Sequence, residues 1–224
     1  MNNSLGSLDV IVERNIEVPM RDGTVLRSDI WRPDAAGQFP VLIERTPYDK
    51  TASSESSLGA GEYYASHGYV TVIQDVRGRF ASDGEFYPFR DDGDGENQDG
   101  YDTVEWAAAQ RWSNKRIGTI GGSYSGATQY RMLATQPPHL EAQFVRQSSS
   151  DYYIEWVYRS GAFEHGFNIS WVLKHASTNA AKLAPNGMED EVVTRLNKAS
   201  DDYQKWLEHV PISPLLPVAD LQDW

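Results

Sequence analysis

Short apolar runs, broken by polar or glycine-rich segments, recur along the first two thirds of the chain. Six of them are typical of β-strands, namely VIVERNIEV, TVLRSDIW, PVLIER, YVTVIQD, RIGTIGG and LEAQFV. The fourth run is apolar on both faces, which favours a buried, parallel strand. The Asp22-Gly23 pair between the first two runs predicts a tight hairpin, because such a pair tolerates positive φ.

Helical segments separate the later strands. One is predicted at about 58–67, where Gly68 follows as a C-terminal cap. A second begins with Asp102 and Glu105 at the spacing of a capping box, and a third is SYSGATQYRMLATQ, after the fifth strand. Strands therefore alternate with helices over residues 24–150. This order predicts an α/β fold, a mostly parallel sheet with helices on both faces.

The pattern changes beyond Asp151. Residues 151–177 and 188–210 are rich in Trp and Tyr and are predicted to be helical, no further strand is predicted, and the Pro-rich end PISPLLPVADLQDW is predicted to be extended. We therefore expect two parts, an α/β body over residues 1–150 and a helical segment over residues 151–224.

Composition narrows the function classes. The chain has 20 basic and 32 acidic residues, a net charge of -12, which disfavours nucleic acid and anionic membrane surfaces as partners. It contains no Cys, so thiolate chemistry and disulfides are excluded. No basic leader and no long apolar stretch stands out, and we expect a cytoplasmic protein without a cofactor or metal.

The stretch IGTIGGSYSGATQYR carries the main candidate chemistry. Ser123 falls at a strand-to-helix turn, with Gly121 two residues before it and Gly126 three after, so Ser125 stands where G-x-S-x-G has its second glycine. Such a turn is a nucleophile elbow, which exposes the serine hydroxyl at a helix N-terminus. A phosphate-binding turn is the alternative, but Ala127 stands where a P-loop needs Lys.

An elbow nucleophile needs donors for the oxyanion that forms on the attacked carbonyl. The amide of Tyr124, the residue after the serine, is one candidate. The loop after the third strand, RTPYDK, supplies the second, because the Tyr48 hydroxyl can donate in place of a backbone amide. Position alone leaves open whether Tyr48 donates a hydrogen bond to the oxyanion or only packs beside Pro47 in the turn.

Five segments together resemble the X-Pro dipeptidyl-peptidase and cocaine-esterase-like serine hydrolases, which include α-amino-acid ester hydrolases and glutaryl acylases. They are MRDGTVLRSDIWRP, RTPYDK, QDVRGRFASDGEF, DGYDTVEWAAAQRWSNKRIGTIGGSYSG and ATQPPHLEAQFVRQSSSDYY. The resemblance is dense over residues 18–153. It implies an α/β-hydrolase body, a helical cap after the sixth strand and a C-terminal jelly roll. It also implies Ser123 as nucleophile of an acyl-enzyme mechanism, with Tyr48 and the Tyr124 amide as oxyanion donors.

The acid and base of a Ser-Asp-His triad are harder to place. In α/β-hydrolases they follow the nucleophile, on loops after later strands, and no such strands are visible here. Two histidines come too early in this order and three fall in helical segments: His67, His139, His165, His175 and His209. We therefore expect a truncated chain that lacks the last strands and the jelly roll, and is nearly inactive alone. A complementary C-terminal portion or a homo-oligomer would then be its partner; a non-catalytic binding protein is the alternative function.

Three smaller groups of residues are candidates for binding roles. Asp151, Tyr152 and Tyr153 follow the last strand, where they would contact a small ester or peptide substrate or pack against the cap. Arg77 and Arg79 would either bind a substrate carboxylate or pair with nearby acidic residues. Pairing with nearby acidic residues is the favoured interpretation. The acidic loop after them fails the EF-hand pattern and is interpreted as solvated; its acids are Asp91, Asp92, Asp94 and Glu96.

Overall fold

A computed structural model describes residues 7–55, 60–93, 95–183 and 190–208. The chain divides into two compact units between Ser150 and Asp151. Each unit is described by itself below. No helix in the described ranges is long and apolar enough to cross a membrane.

The first unit contains one six-stranded sheet, with strand order β1-β2-β4-β3-β5-β6. β1 and β2 are antiparallel, β2 and β4 are antiparallel, and the remaining neighbours are parallel. Gly23 has a φ of 86° in the turn that joins β1 to β2, so the hairpin prediction is confirmed. The strands are β1 (Val10–Pro19), β2 (Val25–Pro33), β3 (Phe39–Thr46), β4 (Val70–Asp75), β5 (Ser113–Gly122) and β6 (Leu140–Arg146).

Helices cover both faces of this sheet, as predicted. Val104 and Ala107 of α3 and Met132 of α4 pack on one face, against a core that includes Ile43. On the other face, Ala65 of α2 packs against strands β2 and β4. The helices are α1 (Lys50–Glu55), α2 (Ala60–Ser66), α3 (Asp99–Ala108) and α4 (Tyr124–Leu133).

The helices of this unit differ from the sequence predictions in two places. The sequence pattern did not predict α1, and α3 begins three residues before Asp102. Asp102 and Glu105 do not form a capping box, because both carboxylates bind distant partners. Asp102 accepts hydrogen bonds from Arg21, and Glu105 lies 2.7 Å from His139 Nδ1. Contacts with residues distant in the sequence have replaced the local cap.

The acidic loop after β4 also differs from the prediction. Asp91 and Asp92 are buried, although Glu96 is exposed, so the prediction of a solvated loop holds for only part of it. The Asp92 carboxylate lies 2.5 Å from Arg45 Nη1, and both side chains are buried. A buried guanidinium needs an anionic partner, and the loop folds inward to supply it. Asp94 lies outside the described residues.

The described part of the second unit begins with α5 (Tyr152–Glu155), and three further helices follow within it. The predicted helix over residues 151–177 is interrupted by a two-stranded hairpin, β7 (Tyr158–Arg159) and β8 (Ala162–Phe163), whose turn residues Ser160 and Gly161 have positive φ. The absence of further strands was therefore a wrong prediction. The later helices are α6 (His165–Leu183), α7 (Asp190–Asp201) and α8 (Gln204–Leu207). The Pro-rich end and His209 lie outside the described residues.

Candidate active site

Ser123 occupies a strained turn between β5 and α4. Its backbone angles are φ 54° and ψ −122°, a combination that costs roughly 1–3 kcal/mol for a residue with a side chain. The Ser123 amide donates to the Arg146 carbonyl of β6 at 3.0 Å, and its own carbonyl accepts from the Gly126 and Ala127 amides at 3.0 Å. Hydrogen bonds from the sheet and from the helix thus hold this turn in place.

Two glycines make the turn possible. Gly121 has a φ of +136°, and a Cβ on it would lie 2.5 Å from the Ser125 Cβ. A Cβ on Gly126 would lie 2.6 Å from the Ser148 Cβ, in the segment after β6. Close approach of the helix to the neighbouring strand therefore depends on Gly126, while Ser125 is accommodated at 2% exposure. This explains how the sequence departs from G-x-S-x-G without losing the turn.

Tyr48 lies at the same edge of the sheet as Ser123. β3 and β5 are parallel neighbours in which Ile43 pairs with Thr119, so the end of β3 at Thr46 is level with the end of β5. Tyr48 follows two residues later, and its amide donates to Thr46 Oγ1 at 3.1 Å. The carboxyl ends of adjacent parallel strands therefore bring the predicted nucleophile and the predicted oxyanion donor to one place.

The Tyr124 side chain is buried within a group of rings that we call the aromatic cluster: Tyr48, Phe86, Phe89 and Tyr124. Tyr124 is 1% exposed, and its ring stacks on Phe89 with centroids 4.1 Å apart. Its hydroxyl accepts a hydrogen bond from the Phe89 amide at 3.0 Å. Tyr124 is also the first residue of α4, so its amide belongs to the positively polarised helix N-terminus.

Sequence reasoning missed the two phenylalanines of this cluster. Phe86 and Phe89 lie in the long loop after β4, within EFYPF, whose density of aromatic residues was the available signal. Ring centroids of Phe86 and Tyr124 are 6.2 Å apart. The loop is thereby packed directly against the turn that carries Ser123.

The two arginines after β4 have different surroundings. Arg77 pairs with Asp99 at 2.6 Å and with Asp22 at 2.7 Å, which confirms that it binds nearby acids. Arg79 donates from Nε to the Pro47 carbonyl at 3.0 Å and is 2% exposed. Burial lowers the pKa of Arg79 to about 10, so the side chain remains cationic at neutral pH.

The two histidines of the first unit lie far from Ser123. His139 precedes β6, whose first residue Leu140 pairs with Ile117, six residues before Ser123; at the rise of a β-strand that is about 20 Å. His67 lies just before β4, whose first residue is level with the same part of β5 through β3. Both histidines are therefore at the opposite edge of the sheet. His165 and His175 belong to the second unit.

The predicted substrate contacts after β6 also belong to the second unit. The Asp151 carboxylate caps α5, because Oδ1 accepts from the amides of Tyr153 and Ile154, each at 2.9 Å. The Tyr152 ring packs on Trp156 with centroids 5.4 Å apart. Substrate contact by Asp151 and Tyr152 stays a prediction.

A cavity of about 220 Å³ lies on the α2 face of the sheet. Glu44 contributes its carboxylate to this cavity, and burial raises the pKa of that group, opposed by a hydrogen bond with Ser125 and by the charge of Arg146. The lining residues are Glu44, Tyr63, Tyr64, Ile120, Gly121, Phe144 and Arg146. In the described ranges, no group of three or more His, Asp or Glu residues is arranged to hold a metal ion.

Residues 22–215 match the X-Pro dipeptidyl-peptidase (S15 family). The chain belongs to this family. The resemblance inferred from the sequence is thereby confirmed. The chain is 40% identical to cocaine esterase from Rhodococcus sp. (strain MB1 Bresler) over 164 residues. These residues are 71% of the chain and 28% of the esterase.

Solved structures that are similar to this chain support its membership of the S15 family. An α-amino acid ester hydrolase aligns with a TM-score of 0.66 at 28% identity, over 80% of this chain and 32% of that one. A CocE/NonD family hydrolase from Staphylococcus aureus aligns with a TM-score of 0.67 at 29% identity, over 91% of this chain and 39% of that one. The fold is that of an α/β-hydrolase, as predicted. The chain spans between 28% and 39% of the length of these relatives.

Proposed function

We propose that this chain carries the nucleophile and the oxyanion donors of a serine hydrolase that cleaves acyl esters or peptides. The observation that carries the proposal is the strained turn at Ser123, which lies at the carboxyl edge of the sheet beside the loop that bears Tyr48. Membership of the S15 family, whose relatives include an esterase and an amino acid ester hydrolase, supports this reaction class.

The reaction begins when Ser123 Oγ attacks the substrate carbonyl carbon and a general base removes the hydroxyl proton. The carbonyl oxygen becomes an oxyanion, which accepts hydrogen bonds from the Tyr48 hydroxyl and the Tyr124 amide. The N-terminus of α4 adds favourable electrostatic potential at this point. Collapse of the tetrahedral intermediate expels an alcohol or amine, which takes up the proton from the base, and leaves an acyl group on Ser123.

Water then releases the acid product. The same base removes a proton from the water, which attacks the acyl carbon, and the second tetrahedral intermediate is stabilised by the same two donors. Its collapse returns the proton to Ser123 Oγ and frees the acid. The enzyme is thus restored, with one bond of the substrate hydrolysed.

The general base comes from outside the first unit in this proposal, because His67 and His139 lie at the opposite edge of the sheet. A complementary C-terminal portion of polypeptide would supply an Asp-His pair. Loss of a triad member typically costs on the order of 10⁴-fold or more in kcat. The 224-residue chain alone is therefore expected to turn over substrate very slowly.

A non-catalytic protein that retains the fold and binds a ligand is the second candidate. The position of His67 and His139 favours it, since neither orients Ser123. Hydrolysis of p-nitrophenyl esters and X-Pro anilides separates the two functions, measured for the chain and for the polypeptide encoded by its full reading frame. The proposal expects hydrolysis in at least one form and its loss in Ser123→Ala. A Ser123→Ala protein that hydrolyses these substrates as fast as its parent would contradict it.

A further inference from the structure

Arg79 is a buried cation directly beside the loop that carries Tyr48. Its guanidinium lies 4.9 Å from the ring centroids of both Phe80 and Phe86, so it interacts with two aromatic faces. The turn that carries it is tightly packed, because a Cβ on Gly78 would lie 2.1 Å from the Phe86 amide nitrogen. The backbone of Arg79 is further fixed by a hydrogen bond from its amide to the Val76 carbonyl at 3.0 Å.

The Pro47–Tyr48 peptide group is held at both of its polar atoms. Its carbonyl oxygen accepts the Arg79 Nε proton at 3.0 Å, and its N–H donates to Thr46 Oγ1 at 3.1 Å. A peptide plane held at both polar atoms fixes the Tyr48 N–Cα bond, from which the side chain leaves the backbone, and so restricts where the Tyr48 ring can lie. The ring of Pro47 also restricts the backbone angle φ of Pro47 itself, on the other side of its carbonyl group.

Arg79 also acts on this region through its charge. The guanidinium is cationic and interacts electrostatically with the Asp75 carboxylate. A fixed positive charge in a site shielded from water favours negative charge that develops nearby. Arg79 therefore places a positive charge beside the loop that carries Tyr48.

We propose that Arg79 is the positioning residue of the oxyanion donor Tyr48. Its contribution to catalysis rests on the proposed function; its effect on the Tyr48 loop does not. Arg77, two residues before Arg79 in the loop after β4, pairs with Asp99 and Asp22 and has a separate structural role.

Fluorine NMR tests the positioning directly and needs no turnover. A fluorotyrosine is placed at Tyr48, and at Tyr69 as a control, in wild type, Arg79→Met and Arg79→Lys. Methionine fills the space between Phe80 and Phe86 but cannot donate to the Pro47 carbonyl. We expect the Tyr48 resonance to shift or broaden in Arg79→Met, to be partly restored in Arg79→Lys, and the Tyr69 resonance to stay unchanged.

An unchanged Tyr48 resonance in a folded Arg79→Met protein would overturn the proposal and leave Arg79 a packing residue. If the methionine variant does not fold, Arg79→Lys decides. The proposal then requires a Tyr48 resonance displaced from that of wild type, and a Tyr48 signal identical to wild type contradicts it.

A double-mutant cycle tests the catalytic consequence in whichever form of the polypeptide hydrolyses esters. Arg79→Met is expected to lower kcat by about 100-fold with little change in KM, because a misplaced donor costs transition-state stabilisation. The same substitution in a Tyr48→Phe protein should have a much smaller effect on kcat. Equal effects in both backgrounds would contradict action through Tyr48. Hydrolysis that survives Ser123→Ala would instead refute the proposed function, and the NMR result would still stand.

Discussion

The rings of Tyr48 and Tyr124 meet edge to face, with their centroids 6.3 Å apart and an interplanar angle of 75°. One residue is the proposed phenol donor to the oxyanion, and the other supplies the proposed backbone donor. Because their side chains pack against each other, the loop after β3 and the turn after β5 hold a common geometry. The aromatic cluster thus couples two donors that are far apart in the sequence.

Removal of the Tyr48 hydroxyl tests its proposed role as a donor. In the active form of the polypeptide, Tyr48→Phe should lower kcat by about 10²–10³-fold and leave KM nearly unchanged, since the ring still packs on Tyr124. Steady-state hydrolysis of a p-nitrophenyl ester measures both constants. Tyr69→Phe, which removes a hydroxyl outside the aromatic cluster, is the matched control. A Tyr48→Phe enzyme with wild-type kcat would rule out the phenol donor.

Substitution of Gly121 tests the steric account of the nucleophile turn. Gly121→Ala should lower the free energy of unfolding by about 2–4 kcal/mol, because the new methyl group meets Ser125 and the φ of +136° is strained for alanine. Urea denaturation followed by circular dichroism gives the difference. Gly95→Ala is the control, since its Cβ would have no neighbour closer than 3.6 Å. Equal stabilities of the two variants would contradict the account.

Loss of the buried ion pair between Arg45 and Asp92 should lower the free energy of unfolding far more than loss of a surface ion pair. Arg45→Met leaves the Asp92 carboxylate buried without this partner and should cost about 3–5 kcal/mol of unfolding free energy. Arg116→Met removes one partner of the exposed pair with Glu141 and should cost less than about 1 kcal/mol. Thermal denaturation of both variants tests the contrast, and similar midpoints would argue against it.

Asp22 should contribute stability that is lost in acid. Its hydrogen bond with Arg77 lowers the pKa of Asp22 from 3.8 to about 2 in the folded protein. The contribution is therefore full above about pH 4 and disappears as the pH falls through 2. Asp22→Asn should be less stable than wild type by about 1 kcal/mol at neutral pH, because the pair with Arg77 is partly screened by solvent, and this difference should shrink as the pH falls from 4 towards 2. Urea denaturation across this pH range is the measurement, with Asp34→Asn as the control; a difference as large at pH 2 as at pH 7 would contradict it.

Local sequence patterns were sufficient for the sheet and for the position of the nucleophile turn. Hydrophobic runs of strand length mark β1 to β6, and Asp22-Gly23 marks the hairpin, because each signal lies within a few residues of the feature it predicts. The strand-to-helix context of Ser123 is similarly local. The family resemblance added a specific role for Tyr48, which its sequence position alone had left open.

Features set by distant partners were not predictable in this way. Asp102 binds Arg21 instead of capping α3, and Asp92 is drawn into the interior by Arg45, which lies 47 residues away in the sequence. The contact between Arg79 and the Pro47 carbonyl likewise spans 32 residues. None of these contacts leaves a periodic trace in the sequence, because each depends on how the strands pair.

Covalent labelling of Ser123 by a fluorophosphonate tests the central claim most directly. The probe is applied to the 224-residue chain and to the polypeptide of the full reading frame, each with its Ser123→Ala counterpart, and the modified peptide is identified by mass spectrometry. We expect Ser123 to be labelled rapidly in the longer form, very slowly or not at all in the chain alone, and in neither alanine variant. Failure to label Ser123 in both forms, or labelling at another serine, would contradict the account.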